Sequence, residues 1–381
     1  MQESKPYKTY NNKNSSYCEP PRTRLKTRTS KENIKLLFKQ CSKKLLDYRY
    51  HQISNTIARK ALIEIEKDRG QLEPRLKKRA DEYAIEILGW KGFSPWLHTY
   101  SALARDFKEG WIPDNYYGRV VIQQIQGSYG QISFLKPLSN KLLNKKVCPE
   151  VASFINGFWF DHNLRPIKNT QVYDVIFKNT NQVICKLDQS YQGRGIFRIE
   201  KEDFNLEQIE KKGNCVIQKF IEQHPIFDEL ISEAVATIRI TTVIDSKNEI
   251  SVRACYLRLG RINDTHVKST NHIRVPLDIQ NGKLYNVGYL SNWKSINHHP
   301  DSKARFNHIT IPNYQDCVSL VLNLHKEMPM VQSIGWDLSV DKDSTPVLME
   351  WNGYSNDIKF SEAIQGPCFK DLGWEKFSLK K

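Results

Sequence analysis

Residues 335–352 constrain this 381-residue chain more than any other stretch. Gly335-Trp336-Asp337-Leu338-Ser339-Val340 and Val347-Leu348-Met349-Glu350-Trp351-Asn352 are apolar runs with alternation, and the polar Asp341-Lys342-Asp343-Ser344 lies between them. The pattern predicts two short strands joined by a turn. Side chains two apart on a strand leave the same face, so Glu350 and Asn352 do. With Asp337 on the preceding strand they form an all-oxygen set, the donors that Mg²⁺ takes alongside nucleotide phosphates and water. The spacing alone leaves a second reading open, in which Asp337 and Glu350 are solvated strand residues.

Upstream, the strand Val183-Ile184-Cys185-Lys186-Leu187 runs into Asp188-Gln189-Ser190-Tyr191-Gln192-Gly193-Arg194-Gly195-Ile196. A lysine within an apolar strand is unusual, because burying an ammonium is costly without a counter-charge. A loop with two glycines can aim backbone N–H groups at phosphate oxygens, and Lys186 can add charge beside them. The loop fits neither the Walker A pattern nor the six-residue dinucleotide fingerprint, so P-loop and Rossmann readings are poor.

The order of these parts is informative. A strand lysine and glycine loop precede Cys215-Val216-Ile217-Gln218-Lys219-Phe220-Ile221-Glu222, then Ala236-Thr237-Ile238-Arg239-Ile240, Leu257-Arg258-Leu259-Gly260, His299-Pro300-Asp301 and the 335–352 unit. Over roughly residues 135 to 365 the chain resembles the ATP-grasp superfamily, and more narrowly its sugar-transfer-associated, polysaccharide-biosynthesis branch. The resemblance implies an α+β fold in which two subdomains sandwich ATP. It implies nucleotide contacts from Lys186, Gly193, Gly195, Gln218, Phe220 and Ile221, with Glu222 toward the ribose. It also implies an earlier nucleotide lysine, for which Lys141 is the candidate, with Lys145 and Lys146 as competitors. Asp337, Glu350 and Asn352 become metal ligands for one or two Mg²⁺ ions, with Mn²⁺ as a substitute.

Residue chemistry agrees with such a site. Thr237 and Arg239 share a strand face, and Arg258 ends the next apolar strand. Two guanidinium groups beside a two-carboxylate centre suit a reaction that gathers phosphate and carboxylate charge, so Arg239 and Arg258 are the catalytic candidates. For Arg239 a buried ion pair with a sheet neighbour stays open; Arg253, on the opposite face from Arg258, is assigned a structural role. No His or Cys spacing suggests zinc, and no Gly-x-Ser-x-Gly elbow appears. His299, before Pro300, reads as a loop residue that could also line an acceptor pocket. The eight cysteines are scattered singly, and no Cys-x-x-Cys pair or signal peptide is evident. A reduced cytoplasmic location is the expectation.

The expected organisation is a basic, disordered tail (1–30), a mainly helical region (31–135), a small lid subdomain (136–222) and a large subdomain with the metal site (223–381). The tail holds seven Lys/Arg against two Glu. Thr29 and Glu32 suit a capping box. Ile34, Leu37, Phe38, Cys41, Leu45 and Tyr48 follow at helical spacing and read as core, as do Ile57, Ala61, Leu62 and Ile65 in a second helix over 54–67. A third helix follows Pro74, and a fourth covers 97–108. Many ATP-grasp enzymes instead place a Rossmann-like domain here, which leaves the source of the acceptor pocket open.

The net charge of +15 also fits a nucleic-acid binder, and the tail's +5 leaves +10 on the rest. The basic residues are dispersed rather than interleaved with aromatics, so nucleic acid is not the expected partner. No apolar run approaches the length of a membrane span, while the tail could meet an anionic inner membrane surface. The function implied by the resemblance is ADP-forming carboxylate–amine ligation through an acyl phosphate. Its partners would be ATP, an acidic carboxylate such as a uronic-acid glycan, and an amine or amino-acid acceptor. The rivals are an ATP-grasp kinase acting on a sugar hydroxyl and a non-catalytic basic glycan- or nucleic-acid-binding protein.

Overall fold

The computed structural model describes residues 30–188, 195–262, 264, 266–267, 271–354 and 356–380. Gly193 therefore lies outside the described residues, as does the tail to residue 29. Chain contacts divide the molecule near Tyr48 into two units. Helix Ser30–Arg69 runs through that point without a break. Two helices were expected here; the sequence between residues 48 and 54 holds neither proline nor glycine, so nothing interrupts the backbone hydrogen bonds. Phe38, Cys41, Leu45 and Tyr48 are exposed, against the expectation that they are core. Ile57 is exposed as well, whereas Ala61 and Ile65 are buried.

From Arg49 onward, helices Pro74–Glu86 and Ser94–Ala104 pack with the end of the long helix around Trp96, Tyr100 and Trp111. Pro74 and Pro95 fall in the first helical turns, where a missing N–H costs nothing. Ser54 lies mid-helix because its hydroxyl accepts from the indole N–H of Trp96 at 2.9 Å.

Two antiparallel sheets follow. The first joins β1 (Glu150–Ile155), β2 (Phe158–Asp161), β3 (Pro166–Ile167), β4 (Gln182–Leu187), β5 (Ile196–Glu200) and β6 (Cys215–Lys219) in the order β3-β2-β1-β6-β4-β5. Val183, Cys185, Cys215 and Ile217 face a core under helices Asn169–Ile176 and Leu206–Lys212. Period two sends Ile184, Lys186 and Gln218 to the other face.

The second sheet has the order β11-β10-β9-β8-β7-β12-β13. Its strands are β7 (Thr237–Ile244), β8 (Ile250–Leu259), β9 (Ile273–Pro276), β10 (Gly288–Tyr289), β11 (Ser295–Ile296), β12 (Ser333–Val340) and β13 (Pro346–Asn352). Ile238, Ile240, Leu257, Leu259, Trp336 and Leu338 bury one face against helix Tyr314–Lys326. The other face is polar where it meets the first sheet. Farther along, Tyr256 joins the aromatic core of the helical region with Trp293 and Phe360. The mainly helical start and the α+β body match the expected fold class.

Candidate functional site

Strand register assembles the polar face. Glu350 pairs with Asp337, Asp337 with Arg239, and Arg239 with Tyr256; Thr237 pairs with Arg258. Directly opposed residues in antiparallel strands project to the same side, so these side chains share one surface. The β12–β13 register jumps from Asp337–Glu350 to Leu338–Leu348, leaving Met349 as the extra residue of a bulge. The bulge lets Met349 face the same cleft as Glu350. Its carbonyl accepts from Lys186 Nζ at 3.0 Å and from Gln218 Nε2 at 3.5 Å, which ties the first sheet to the second.

The cleft between the sheets holds a cavity of about 90 Å³. Its lining combines apolar side chains, Ile184, Ile196, Phe220, Ile221, Val235 and Met349, with the charged Lys186, Arg258, Asp337 and Glu350. A flat apolar base and a polyphosphate ask for such a combination. Lys186 is only 5 % exposed. Burial lowers its pKa, and the Glu350 charge offsets part of that fall.

Asp337 is 5 % exposed and held by two guanidinium groups. Arg239 donates to both its carboxylate oxygens, at 2.6 and 2.9 Å, and Arg258 Nη2 reaches Oδ2 at 2.7 Å. Burial would raise the carboxyl, but Arg239 and Arg258 outweigh it and hold it down at about 2. Glu350 is governed the same way: burial raises it, while Lys136 and then Lys186 keep it below the usual range. The Lys136 ammonium lies 2.7 Å from Glu350 Oε1. Asn352 donates through Nδ2 to Asp337 Oδ2 at 3.2 Å and Gly335 O at 3.3 Å, which leaves its Oδ1 available as an acceptor.

The sequence candidates separate on this geometry. Lys186, Gln218, Phe220, Ile221, Arg258, Asp337 and Glu350 line one cleft. Asn352 stands directly behind Asp337. Arg239 does not line the cleft: its Nη1 donates to Asn356 O at 2.9 Å, and the residue is 4 % exposed. It is the buried ion pair with a sheet neighbour that the sequence left open. Lys141, Lys145 and Lys146 are all exposed; the lysine at the carboxylates is Lys136, 7 % exposed, in a short 3₁₀ turn before the first sheet. Glu222 pairs with Lys342 at 2.6 Å on the surface. Gly195 has φ of 80°, a backbone conformation glycine adopts without strain, and its carbonyl accepts from Leu187 N at 2.9 Å. His299 is wholly buried with Nε2 3.0 Å from Gly260 O, and Asp301 grips Arg261 in a two-pronged ion pair at 2.7 Å. That motif fixes the turn after β8. Arg253 pairs with Asp371.

Sequence reasoning also missed Glu150, whose strand register faces Gln218. It is 6 % exposed, accepts from Asn140 Nδ2 at 2.8 Å, and burial raises its carboxyl to about 8.

For a hard cation the donors fit in kind. The second oxygen of Glu350 and Oδ1 of Asn352 are the ones left to a metal, whereas both Asp337 oxygens are engaged by arginine. No group of three or more His, Cys, Asp or Glu side chains suited to a metal occurs among the described residues. A metal here would thus draw its other ligands from phosphate and water.

No curated protein sequence matches the chain significantly. Among solved structures, it is similar to the biotin carboxylase domain of the Hydrogenobacter thermophilus 2-oxoglutarate carboxylase in complex with MgADP, ADP and bicarbonate. Identity is 14 %, coverage 65 % of this chain and 45 % of that one, and the TM-score 0.41. It is also similar to the ATP-grasp ligase PsnB complexed with minimal precursor (11 % identity, 65 % and 62 % coverage, TM-score 0.36). A third is the Coxiella burnetii D-alanine-D-alanine ligase (11 % identity, 67 % and 60 % coverage, TM-score 0.36). The chain thus spans between 45 % and 62 % of these three structures' lengths. Residues 123–371 match the family model of the sugar-transfer associated ATP-grasp proteins, about two thirds of the sequence, and the chain belongs to that family.

Proposed function

We propose that the protein is an ADP-forming carboxylate–amine ligase that makes an amide on a sugar acid or related acidic substrate of surface polysaccharide. The observation that carries the reading is one cleft lined by both apolar and charged side chains. There, two lysines and an arginine meet the oxygen donors Asp337, Glu350 and Asn352. The base of ATP packs against the apolar Phe220, Ile221 and Met349. Lys186 and Lys136 take phosphate charge, and Lys136 exchanges Glu350 for phosphate when nucleotide arrives.

A carboxylate oxygen of the substrate attacks the γ-phosphorus, and the β–γ bridging oxygen leaves with its electron pair on ADP. The amine then attacks the acyl carbon, the carbon–oxygen bond to phosphate breaks, and inorganic phosphate and one proton depart. Arg258 neutralises charge on the transferring group, and Arg239 keeps Asp337 and Arg258 in register. Mg²⁺, held by Glu350 and Asn352, would supply charge neutralisation at the phosphates. Most of the acceleration comes from positioning and electrostatics.

The test is ADP release across a panel of uronic acids crossed with amino acids. Release that requires both a carboxylate and an amine, with one molecule of water lost in product mass, is the expected result. Release with a sugar alone, with phosphate added to its hydroxyl, would make the protein a kinase. No nucleotide turnover with any pair, together with no ATP binding, would overturn the reading.

A further inference from the structure

A cavity of about 640 Å³ lies within the helical region, a size typical of small-molecule sites. Three pieces of chain wall it. The long helix brings Asn55 and Arg59, the segment leading into helix Pro74–Glu86 brings Leu72 and Lys77, and the start of helix Ser94–Ala104 brings Ser94 and Pro95. None of its lining residues lines the cleft between the sheets, so the two cavities are built from separate side chains.

The floor is buried, polar and unsatisfied. Asn55 is 4 % exposed; its Oδ1 accepts from Asn115 Nδ2 at 3.2 Å, while its own Nδ2 has no partner among the described residues. Ser94 is 2 % exposed, and its Oγ has no partner either. Buried donors left this way carry a desolvation cost that a hydrogen-bonding ligand relieves. Leu72 and Pro95 add apolar surface beside them.

Charge at the rim is unbalanced. The two acids of the lining are engaged within the protein: Asp81 Oδ1 lies 2.9 Å from His98 Nε2, and Glu66 Oε1 accepts from Leu72 N at 3.0 Å. Lys91 leans toward the second oxygen of Asp81 at 3.9 Å. Arg59 and Lys77 are exposed, and neither has a carboxylate oxygen within 4.0 Å among the described residues. A cationic ligand would meet three basic side chains and no free carboxylate pair. A wholly apolar one would leave Asn55 and Ser94 unpaired. An anionic group on a hydroxyl-bearing ring satisfies both rim and floor, because guanidinium and ammonium groups bond phosphate or carboxylate strongly.

We infer that this cavity is a second ligand site, for a sugar carrying a phosphate or a carboxylate. Arg59 and Lys77 hold the anionic group, and Asn55 and Ser94 offer hydrogen bonds to the hydroxyls. The site stands independently of the nucleotide reading, since it shares no residue with the cleft.

The experiment titrates glucose-1-phosphate, D-glucuronate and, as the uncharged control, D-glucose into the full chain by calorimetry, with and without MgADP. At least one acidic sugar is expected to bind, equally well with and without MgADP, and glucose is not; which acidic sugar binds identifies the anion. Arg59→Gln and Lys77→Gln change exposed helix positions at which glutamine is well tolerated. Each should weaken the acidic sugar by about tenfold or more, the scale of one hydrogen bond to a charged group. Lys78→Gln, next on the same helix but outside the cavity, should leave its affinity within about twofold. No binding of either acidic sugar, an equal response to glucose, or displacement by MgADP would overturn the site. So would unchanged affinity in Arg59→Gln and Lys77→Gln, or an equal loss in Lys78→Gln.

Discussion

At Asp337 the two guanidinium groups play different parts. Arg239 is saturated by Asp337 and the Asn356 carbonyl in a site sealed from water, whereas Arg258 keeps an unpartnered Nε and faces the cleft. Removing one member of a buried ion pair strands the other charge, so Arg239→Met should cost about 3–5 kcal/mol of stability by urea unfolding. Because Asp337 is held at about 2, its contribution is fully present above the ordinary carboxylate pKa and is lost as pH falls from there through about 2. Glu350→Gln should keep the fold and lower turnover by about a hundredfold, since it removes charge where the phosphates gather. Glu150 runs the other way. With its carboxyl raised to about 8, the folded state retains a proton that the unfolded state releases near 4.5, so stability falls as pH rises across that interval. Glu150→Gln should raise the melting temperature at pH 8.5 more than at pH 5. An equal gain at both would refute the assignment.

At the scale of elements, the β12–β13 bulge positions Met349 and its carbonyl. Gly335 on β12 leaves room for Arg239 to cross. A Cβ there would stand 2.7 Å from Asn356 Cβ and 3.2 Å from Arg239 Nη1. Gly335→Ala should therefore destabilise by about 1–3 kcal/mol through overpacking, visible as a lower urea midpoint with an unchanged slope. The strand alternation that carries Asp337, Glu350 and Asn352, and the lysine in β4, were legible because period two and a buried cation both leave marks in sequence. Lys136 was not: it sits in a short 3₁₀ turn whose placement depends on packing against β6, and the sequence pointed instead to Lys141, five residues on. Arg239 was ambiguous because register, unseen in one strand, decides whether a strand arginine meets ligand or aspartate. The bulge was equally hidden, since one extra residue changes no local pattern.

For the whole molecule, the helical region and the second sheet share a core through Trp96, Tyr256, Trp293 and Phe360. Its helical character was legible from apolar spacing, but the burial of that spacing was not. Phe38 at 76 % and Leu45 at 68 % exposure show that periodicity reports a helix face and not what covers it. No described helix is long and apolar enough to cross a membrane. The account stands on a single nucleotide site in which Lys136 and Glu350 part when ATP and Mg²⁺ enter. Calorimetric titration of ATP, with and without Mg²⁺, into wild type and Glu350→Gln tests it most directly. The account predicts Mg²⁺-dependent binding in wild type and a much smaller Mg²⁺ effect in the variant. No binding of ATP to wild type, or the same Mg²⁺ effect in both proteins, would contradict it.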